Sequence, residues 1–377
     1  MQNALKSPKT SLNGGIMDKI VLTLDSAQLG GIETHVLTLA TDLVKRGYEL
    51  EVLFIKAYPG NCLYQALSDN GIDYSFAGSV KGYWQALRQQ RNNSILHTHG
   101  YKAGILGRVF SKLLGIRVIS TYHSGDLGSG KLRFYSYLDQ MTAGLAQCIA
   151  VSEPIKARLP ATTEMIPNFV EVKAHSEDES EDEAEQNRQD TLHTTPSTKP
   201  LQVAFVGRLS VEKGPDRFCQ LAAMWFSDKS TDDNRALEFV MYGDGPEREQ
   251  LTTSFDPLVK FKGHVDMKEH WCDVDVLCIS SRYEGLPYVA LEAMARGIPV
   301  VSFDIGGIGD LICDPSLGWL AKPDDINSLK QALHDWYTLS AVDRGLLAKN
   351  VRQKIYQDYS TAALVPGIEA KYRLQSA

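Results

Sequence analysis

Short apolar runs alternate with amphipathic stretches along almost the whole chain, and this alternation narrows the choice of fold more than any other feature. Ile20-Val21-Leu22-Thr23-Leu24 has the length of a buried strand, Gly30-Gly31 sits in the turn behind it, and residues 32–46 carry helical spacing up to Gly47. Leu50 to Ile55, Ser94 to His97 and Arg117 to Tyr122 read as further strands. The pattern restarts with Leu201 to Val206 and continues through Glu238 to Tyr242, Val274 to Ser280 and Pro299 to Phe303. Asp324 or Asp325 can cap a helix from near Ile326, and helices at about 341–358 and 360–374 close the chain. Strands joined by helices of this length imply parallel sheets covered on both faces. The expected class is therefore α/β, with two Rossmann-like domains, because 377 residues exceed what one core usually organises.

Between the halves the pattern dissolves. Residues 173–199 hold Glu-Asp-Glu-Ser-Glu-Asp-Glu-Ala-Glu and then Thr-Thr-Pro-Ser-Thr-Lys-Pro, with too little apolar surface to offset the entropy of ordering. The expected division is a polar leader at 1–16, an N-terminal domain at 17–170 and an acidic linker or insertion at 171–199. A second domain follows at 200–355, and a last helix at 356–377 crosses back to the first. The leader has no apolar run, so it does not read as a signal peptide, and no stretch has the roughly 18 apolar residues of a membrane span. The six cysteines show no CxxC or zinc-ligand spacing, which fits reduced thiols in the cytoplasm. A net charge of -7 argues against general nucleic-acid binding.

Two segments carry the chemistry. Val206-Gly207-Arg208-Leu209-Ser210-Val211-Glu212-Lys213-Gly214 follows a strand and opens a helix, placing two cations around a tight turn. At the carboxyl end of a parallel strand such a pair suits a diphosphate, the guanidinium forking two oxygens and the ammonium adding a point charge. From Glu284-Gly285-Leu286-Pro287 to Glu292 and on to Gly297, two carboxylates stand eight residues apart, with Pro287 expected at the first helical position. Glu292 then points back toward the same crevice. The backbone N–H groups at Gly285 to Pro287 and the helix dipole favour an anion, leaving the glutamates for sugar hydroxyls.

Taken in order, these segments resemble the retaining glycosyltransferases of family 4, which have the GT-B fold: two Rossmann-like domains whose parallel sheets face a deep cleft. Glu284 to Glu292 looks like that family's E-x7-E element. Gly30-Gly31-Ile32-Glu33, Ile166-Pro167-Asn168, Arg208…Lys213, Gly243-Asp244-Gly245-Pro246-Glu247 and Phe261-Lys262-Gly263-His264-Val265 match in the same order. The resemblance implies that Arg208 and Lys213 bind the diphosphate and stabilise its departure, with Glu292 on the ribose and Glu284 on a hydroxyl of the transferred sugar. It puts the backbone of Gly285, Leu286 and Pro287 around the distal phosphate, and His264 and Val265 near the base. His123 resembles the histidine that contacts the donor sugar. Gly30 and Gly31 let a ligand approach the backbone closely and are expected to face donor or acceptor; they do not form a G-x-G-x-x-G fingerprint. One departure is Asp310, where the family has glutamate after Gly306-Gly307. His97-Thr98-His99 also follows a strand, but no histidine pair has metal spacing supported by carboxylates, and the family generally needs neither metal nor another cofactor.

The resemblance implies transfer of a hexose from a nucleoside-diphosphate sugar, UDP-linked first and GDP-linked next. The acceptor would be a glycan or a lipid-linked glycan in surface polysaccharide or glycolipid synthesis. From Lys81 to Arg133 nine basic residues accompany one acidic residue, and Phe134, Tyr135 and Tyr137 follow. Arg108 and Lys112 are expected to share a helix face, either as part of a solvated basic surface or as a peripheral contact with an anionic membrane on its cytoplasmic side. Two rivals use similar lobes: a nucleotide-sugar epimerase, and a non-catalytic sugar-binding protein. Neither needs this order of motifs.

Overall fold

The computed structural model describes residues 19–26, 30–92, 94–123, 130–172, 199–227 and 237–373. The leader and the body of the acidic segment lie outside them.

The first sheet contains β1 (Lys19–Leu24), β2 (Leu50–Phe54), β3 (Asp73–Phe76), β4 (Ser94–His99), β5 (Arg117–Tyr122), β6 (Gln147–Ala150) and β7 (Glu164–Met165). Its order is β3-β2-β1-β4-β5-β6-β7 and every pairing is parallel. The second contains β8 (Leu201–Val206), β9 (Leu237–Tyr242), β10 (Val259–Gly263), β11 (Val276–Ile279), β12 (Val300–Phe303) and β13 (Gly318–Ala321). These run in the order β10-β9-β8-β11-β12-β13, again all parallel. In each sheet the order reverses beside the first strand, between β1 and β4 and between β8 and β11. A crevice opens at the carboxyl ends of the strands at such a switch point.

The cores show why the strands are apolar on both sides. Ile20, Leu22 and Leu24 of β1 pack on one face of the sheet with Val36 and Leu39, while Val21 packs on the other with Leu53, Leu96 and Leu87. That is the period of two expected of a strand covered by two helical layers. The second sheet and its helices share one continuous core.

The chain leaves the first domain once and returns once. Val170 donates its N–H to Tyr359 O at 2.9 Å, and Thr361 donates back to Val170 O at 3.0 Å, so the two crossings run side by side. Helix Thr361–Arg373 then lies on the first domain, burying Val365, Ile368 and Tyr372 among Ile20, Leu22 and Leu39.

Two expectations are corrected here. Arg108 and Lys112 do not form one solvated face of helix Tyr101–Leu114: Arg108 is 1% exposed. It pairs with Asp139, donates to Ser120 Oγ at 3.1 Å and reaches Thr142 Oγ1 at 2.8 Å. Lys102 pairs with Asp25, and Arg117 donates to the carbonyls of Lys371 and Tyr372 at 2.9 and 3.2 Å. A run of cations in sequence is thus divided between buried structural pairs and the surface. Pro287 is the other correction. It caps helix Tyr288–Ala295 in extended conformation, with ψ 127°, instead of opening it, and as a proline it has no N–H to give an anion.

Candidate active site

Lys213 is placed by its own backbone. A single 3-10 turn, Val211–Lys213, ends at Gly214 in the left-handed region with φ 64°. A Cβ on Gly214 would come within 2.2 Å of Ser280 O, so only glycine lets this turn seat on the end of β11. Ser280 Oγ donates to Gly214 O at 2.8 Å, and Arg282 N donates to Glu212 O at 2.8 Å. Arg282 also forks Asp216 at 2.8 and 2.6 Å. The loops after β8 and β11 are laced together in this way, and the lacing brings Lys213 Nζ to both carboxylate oxygens of Glu284, at 2.8 and 2.9 Å. Ser281 Oγ adds a third hydrogen bond to Glu284 at 2.7 Å. The carboxylate is almost buried at 8% exposure, whereas Lys213 retains a third of its surface. Arg208 stands exposed at the end of the same strand β8.

Glu284 through Pro287 pack against the first domain. Gly285 has no room for a side chain, since a Cβ there would lie 2.4 Å from His123 O. Gly306 and Gly307 brace the same backbone from behind, with Gly307 N donating to Gly285 O at 2.5 Å. Leu286 O accepts from Asn168 Nδ2 at 2.6 Å, and Tyr288 OH meets His35 Nδ1 at 2.9 Å. Gly31 faces Tyr288 of the second domain, whose ring lies 3.6 Å from where its Cβ would be, whereas a Cβ on Gly30 would meet only Glu33 Oε2, at 3.2 Å. Glu292, further along helix Tyr288–Ala295, is half-buried; burial raises its pKa, and Arg296 and Lys268 oppose that rise. His264 and Val265 follow the edge strand β10, His264 exposed and Val265 half-buried; Asp310 is exposed.

Across the junction four imidazoles meet. His99 Nδ1 lies 3.1 Å from His123 Nε2. His97 is held at 2.7 Å by both Tyr372 OH and Thr121 Oγ1. His35 packs edge-on against His123 with ring centres 4.6 Å apart. Burial depresses all four: His97 to about 3, His123 to about 4 against an opposing hydrogen bond from Asn168, and His35 and His99 well below the usual histidine range, with neighbouring imidazoles adding to the shift at His97, His35 and His99. All four are therefore neutral at pH 7. A cavity of about 40 Å³ beside His123 is lined by Thr98, Gly100, Tyr101, Thr121 and the Arg108–Asp139 pair.

Of the residues read from sequence, Lys213 and Glu284 are brought into direct contact, and His123 is brought against Gly285. Sequence reading missed His35, Asn168's bridge to the second domain, Tyr288 and the Arg282–Asp216 brace. The serine-serine-arginine run just before Glu284 was the available signal for the brace. Nothing local marked His35.

The comparisons agree with this architecture. Residues 29–173 match the family described as Glycosyltransferase Family 4, and residues 200–338 match Glycosyl transferases group 1. The chain belongs to the family 4, group 1 glycosyltransferases. This glycosyltransferase is 25% identical over 309 residues to the UDP-Gal:alpha-D-GlcNAc-diphosphoundecaprenol alpha-1,3-galactosyltransferase of Escherichia coli, covering 78% of each chain. It is 24% identical over 361 residues to the D-inositol 3-phosphate glycosyltransferase of Corynebacterium glutamicum, covering 87% of this chain and 84% of the relative. Among solved structures, Anabaena HepE in complex with UDP and glucose superposes with a TM-score of 0.73 at 18% identity, over 94% of this chain and 98% of that one. The fold is GT-B and the protein is a transferase. No described helix of the glycosyltransferase is long and apolar enough to cross a membrane.

Proposed function

We propose that this glycosyltransferase moves a hexose from a UDP-sugar to a lipid-linked glycan acceptor, with retention at the anomeric carbon and without a metal. The observation that carries the reading is the contact of Lys213 with Glu284 at the meeting of the two switch-point loops, with Arg208 on the same strand end and His123 O against Gly285. Two cations here serve a departing diphosphate, whose negative charge grows as the glycosidic bond breaks. The amides of Gly285 and Leu286 and the start of helix Tyr288–Ala295 add partial positive charge to the same crevice. Glu284 accepts three hydrogen bonds on its carboxylate, from Lys213 and Ser281, and is a holder, better suited to a sugar hydroxyl than to attack at carbon. With no free carboxylate assigned as nucleophile, the leaving phosphate assists deprotonation of the acceptor on the same face. UDP is favoured over GDP because the E. coli relative is named for a UDP-sugar and the Anabaena neighbour was solved with UDP.

The acceptor side is the helix Lys131–Met141. Phe134, Tyr137 and Met141 are 60%, 58% and 66% exposed on it, at helical spacing, with Arg133 exposed beside them. Apolar side chains rimmed by cations suit the surface of an anionic membrane, where a lipid-linked acceptor would be met.

Calorimetric titration of UDP, GDP and ADP in EDTA tests the donor reading. One nucleotide, UDP, should bind at micromolar concentration. Arg208→Ala, which removes a charge-assisted contact worth about 1.5–3 kcal/mol, should weaken it roughly 10- to 100-fold, and Glu292→Ala should weaken it as well. Absence of binding by any of the three would overturn the site. Proton NMR of the product, read for the anomeric coupling, decides between retention and inversion.

A further inference from the structure

Three of the four clustered histidines come from separate elements: His35 from helix Gly31–Lys45, His99 from the end of β4, and His123 from just beyond β5. One ring nitrogen from each can be chosen so that all three lie within 4.8 Å of one another, and the set includes no carboxylate or thiolate. His35 Nε2, His99 Nε2 and His123 Nδ1 are buried without a well-formed hydrogen bond, although the Asn168 side chain lies beside His123. Buried polar nitrogens normally find partners, and of these three His35 Nε2 would gain one from a metal held among the rings.

We propose that His35, His99 and His123 form a binding site for a borderline divalent cation of the zinc class, and that its occupancy holds His123 on the first domain and switches transfer off. The second half rests on the donor-contact role proposed for His123; the first half does not.

The donor chemistry selects the metal. Neutral imidazoles suit Zn²⁺, Cu²⁺ or Ni²⁺ and are poor ligands for Mg²⁺ or Ca²⁺, which want oxygen. Two nitrogens each about 2.0–2.1 Å from one tetrahedral zinc stand about 3.4 Å apart. His99 Nδ1 and His123 Nε2 are already 3.1 Å apart. The proton they share moves to the outer nitrogen of the ring that donates it, so both inner lone pairs face the cation and no proton is released. His35 supplies Nε2, while its Nδ1 stays on Tyr288 OH at 2.9 Å and near Asn168 Oδ1 at 3.3 Å. A metal-bound histidine customarily keeps such a partner on its other nitrogen. The adjoining cavity of about 40 Å³ has room for one water as fourth ligand.

The test uses the full chain, stripped with EDTA and titrated with Zn²⁺ against a chromophoric chelator, then with Co²⁺ to read coordination geometry from its visible spectrum. One equivalent should bind at micromolar concentration or tighter, with a tetrahedral Co²⁺ spectrum. His35→Ala and His99→Ala should each lower the affinity at least tenfold, and His334→Ala, an exposed histidine far along the sequence, should leave it unchanged. Should either cluster variant not fold by circular dichroism, X-ray absorption at the zinc edge of the unaltered protein decides, with three imidazole nitrogens expected. Less than one equivalent, unchanged affinity in both folded variants, or a shell of oxygen or sulfur ligands would overturn the site. Zn²⁺ should also slow turnover of a UDP-sugar reversibly, EDTA restoring it, and His35→Ala should escape that inhibition. Stoichiometric binding without inhibition would overturn the switch alone. A failure of nucleotide binding would strike the transferase reading and leave the metal titration standing.

Discussion

Lys213 and Glu284 are bound to each other more tightly than either is to the rest of the site, so removing one has a cost beyond lost catalysis. Lys213→Met leaves a carboxylate of 8% exposure with only Ser281 as donor, and should lower the unfolding free energy of the second domain by about 1–3 kcal/mol. Arg208→Ala, at an exposed position, should change stability by less than about 0.5 kcal/mol while still weakening nucleotide binding. Denaturant titration of the two variants side by side separates these effects. The histidines make a second prediction. Unfolded, an imidazole takes up its proton near pH 6.5, whereas in the native protein His97 holds off to about 3 and His123 to about 4. The unfolded state therefore binds more protons across that window, and the stability these groups confer is complete above pH 6.5 and is lost as pH falls toward 4. Each contributes a slope of about 1.4 kcal/mol per pH unit. His97→Gln should flatten the fall in unfolding free energy between pH 6.5 and 4 by about that slope, measured by urea titration at several pH values. At this scale the sequence was legible where chemistry is local. Arg208, Lys213 and Glu284 could be read from short motifs, while His35 could not, because its neighbours come from residues 99, 123, 168 and 288. Arg108 was misread for the same reason, its partner Asp139 lying 31 residues away.

At the scale of elements, the apolar runs of β1, β5 and β8 announced themselves because both faces of a central parallel strand are buried. The outer strands did not. β3 mixes exposed with half-buried positions, β10 is buried only at its two ends, and β7 has only two residues, both exposed, so no run stands out against the loops. Helix Thr361–Arg373 could be read as a helix. That it crosses back to the first domain was expected from sequence; which residues it buries there, Val365, Ile368 and Tyr372, only the structure shows. Ile368→Ala should therefore cost about 2–5 kcal/mol in that domain, despite lying in the last elements of the chain. Tyr372→Phe, which keeps the packing and removes the hydroxyl from His97, should cost about 0.5–1.5 kcal/mol. Thermal unfolding followed by a probe in the first domain checks both.

For the whole molecule, the division of charge predicts how it meets a membrane. With Arg108, Lys102 and Arg117 committed internally, the proposed membrane contact would fall to exposed Phe134, Tyr137 and Met141 and the remaining surface cations. Co-sedimentation with liposomes should rise with acidic lipid content, and Phe134→Ser combined with Tyr137→Ser should reduce it several-fold without altering nucleotide affinity. Binding indifferent to lipid charge would sink this picture. The two adjacent crossings at Val170 and Tyr359–Thr361 have a consequence for how the protein comes into being. A domain whose core is finished by residues 365–372 has to wait until those residues have been made, whereas the second domain has most of its core once about residue 355 has emerged. Synthesis usually favours the amino-terminal domain as first to fold. Here we expect the order to be reversed: the younger half of the chain would be native first, and the older half would stay open to chaperones and proteases until helix Thr361–Arg373 docks. A chain cut back to residue 360 should thus show a protease-resistant second domain beside a sensitive first one.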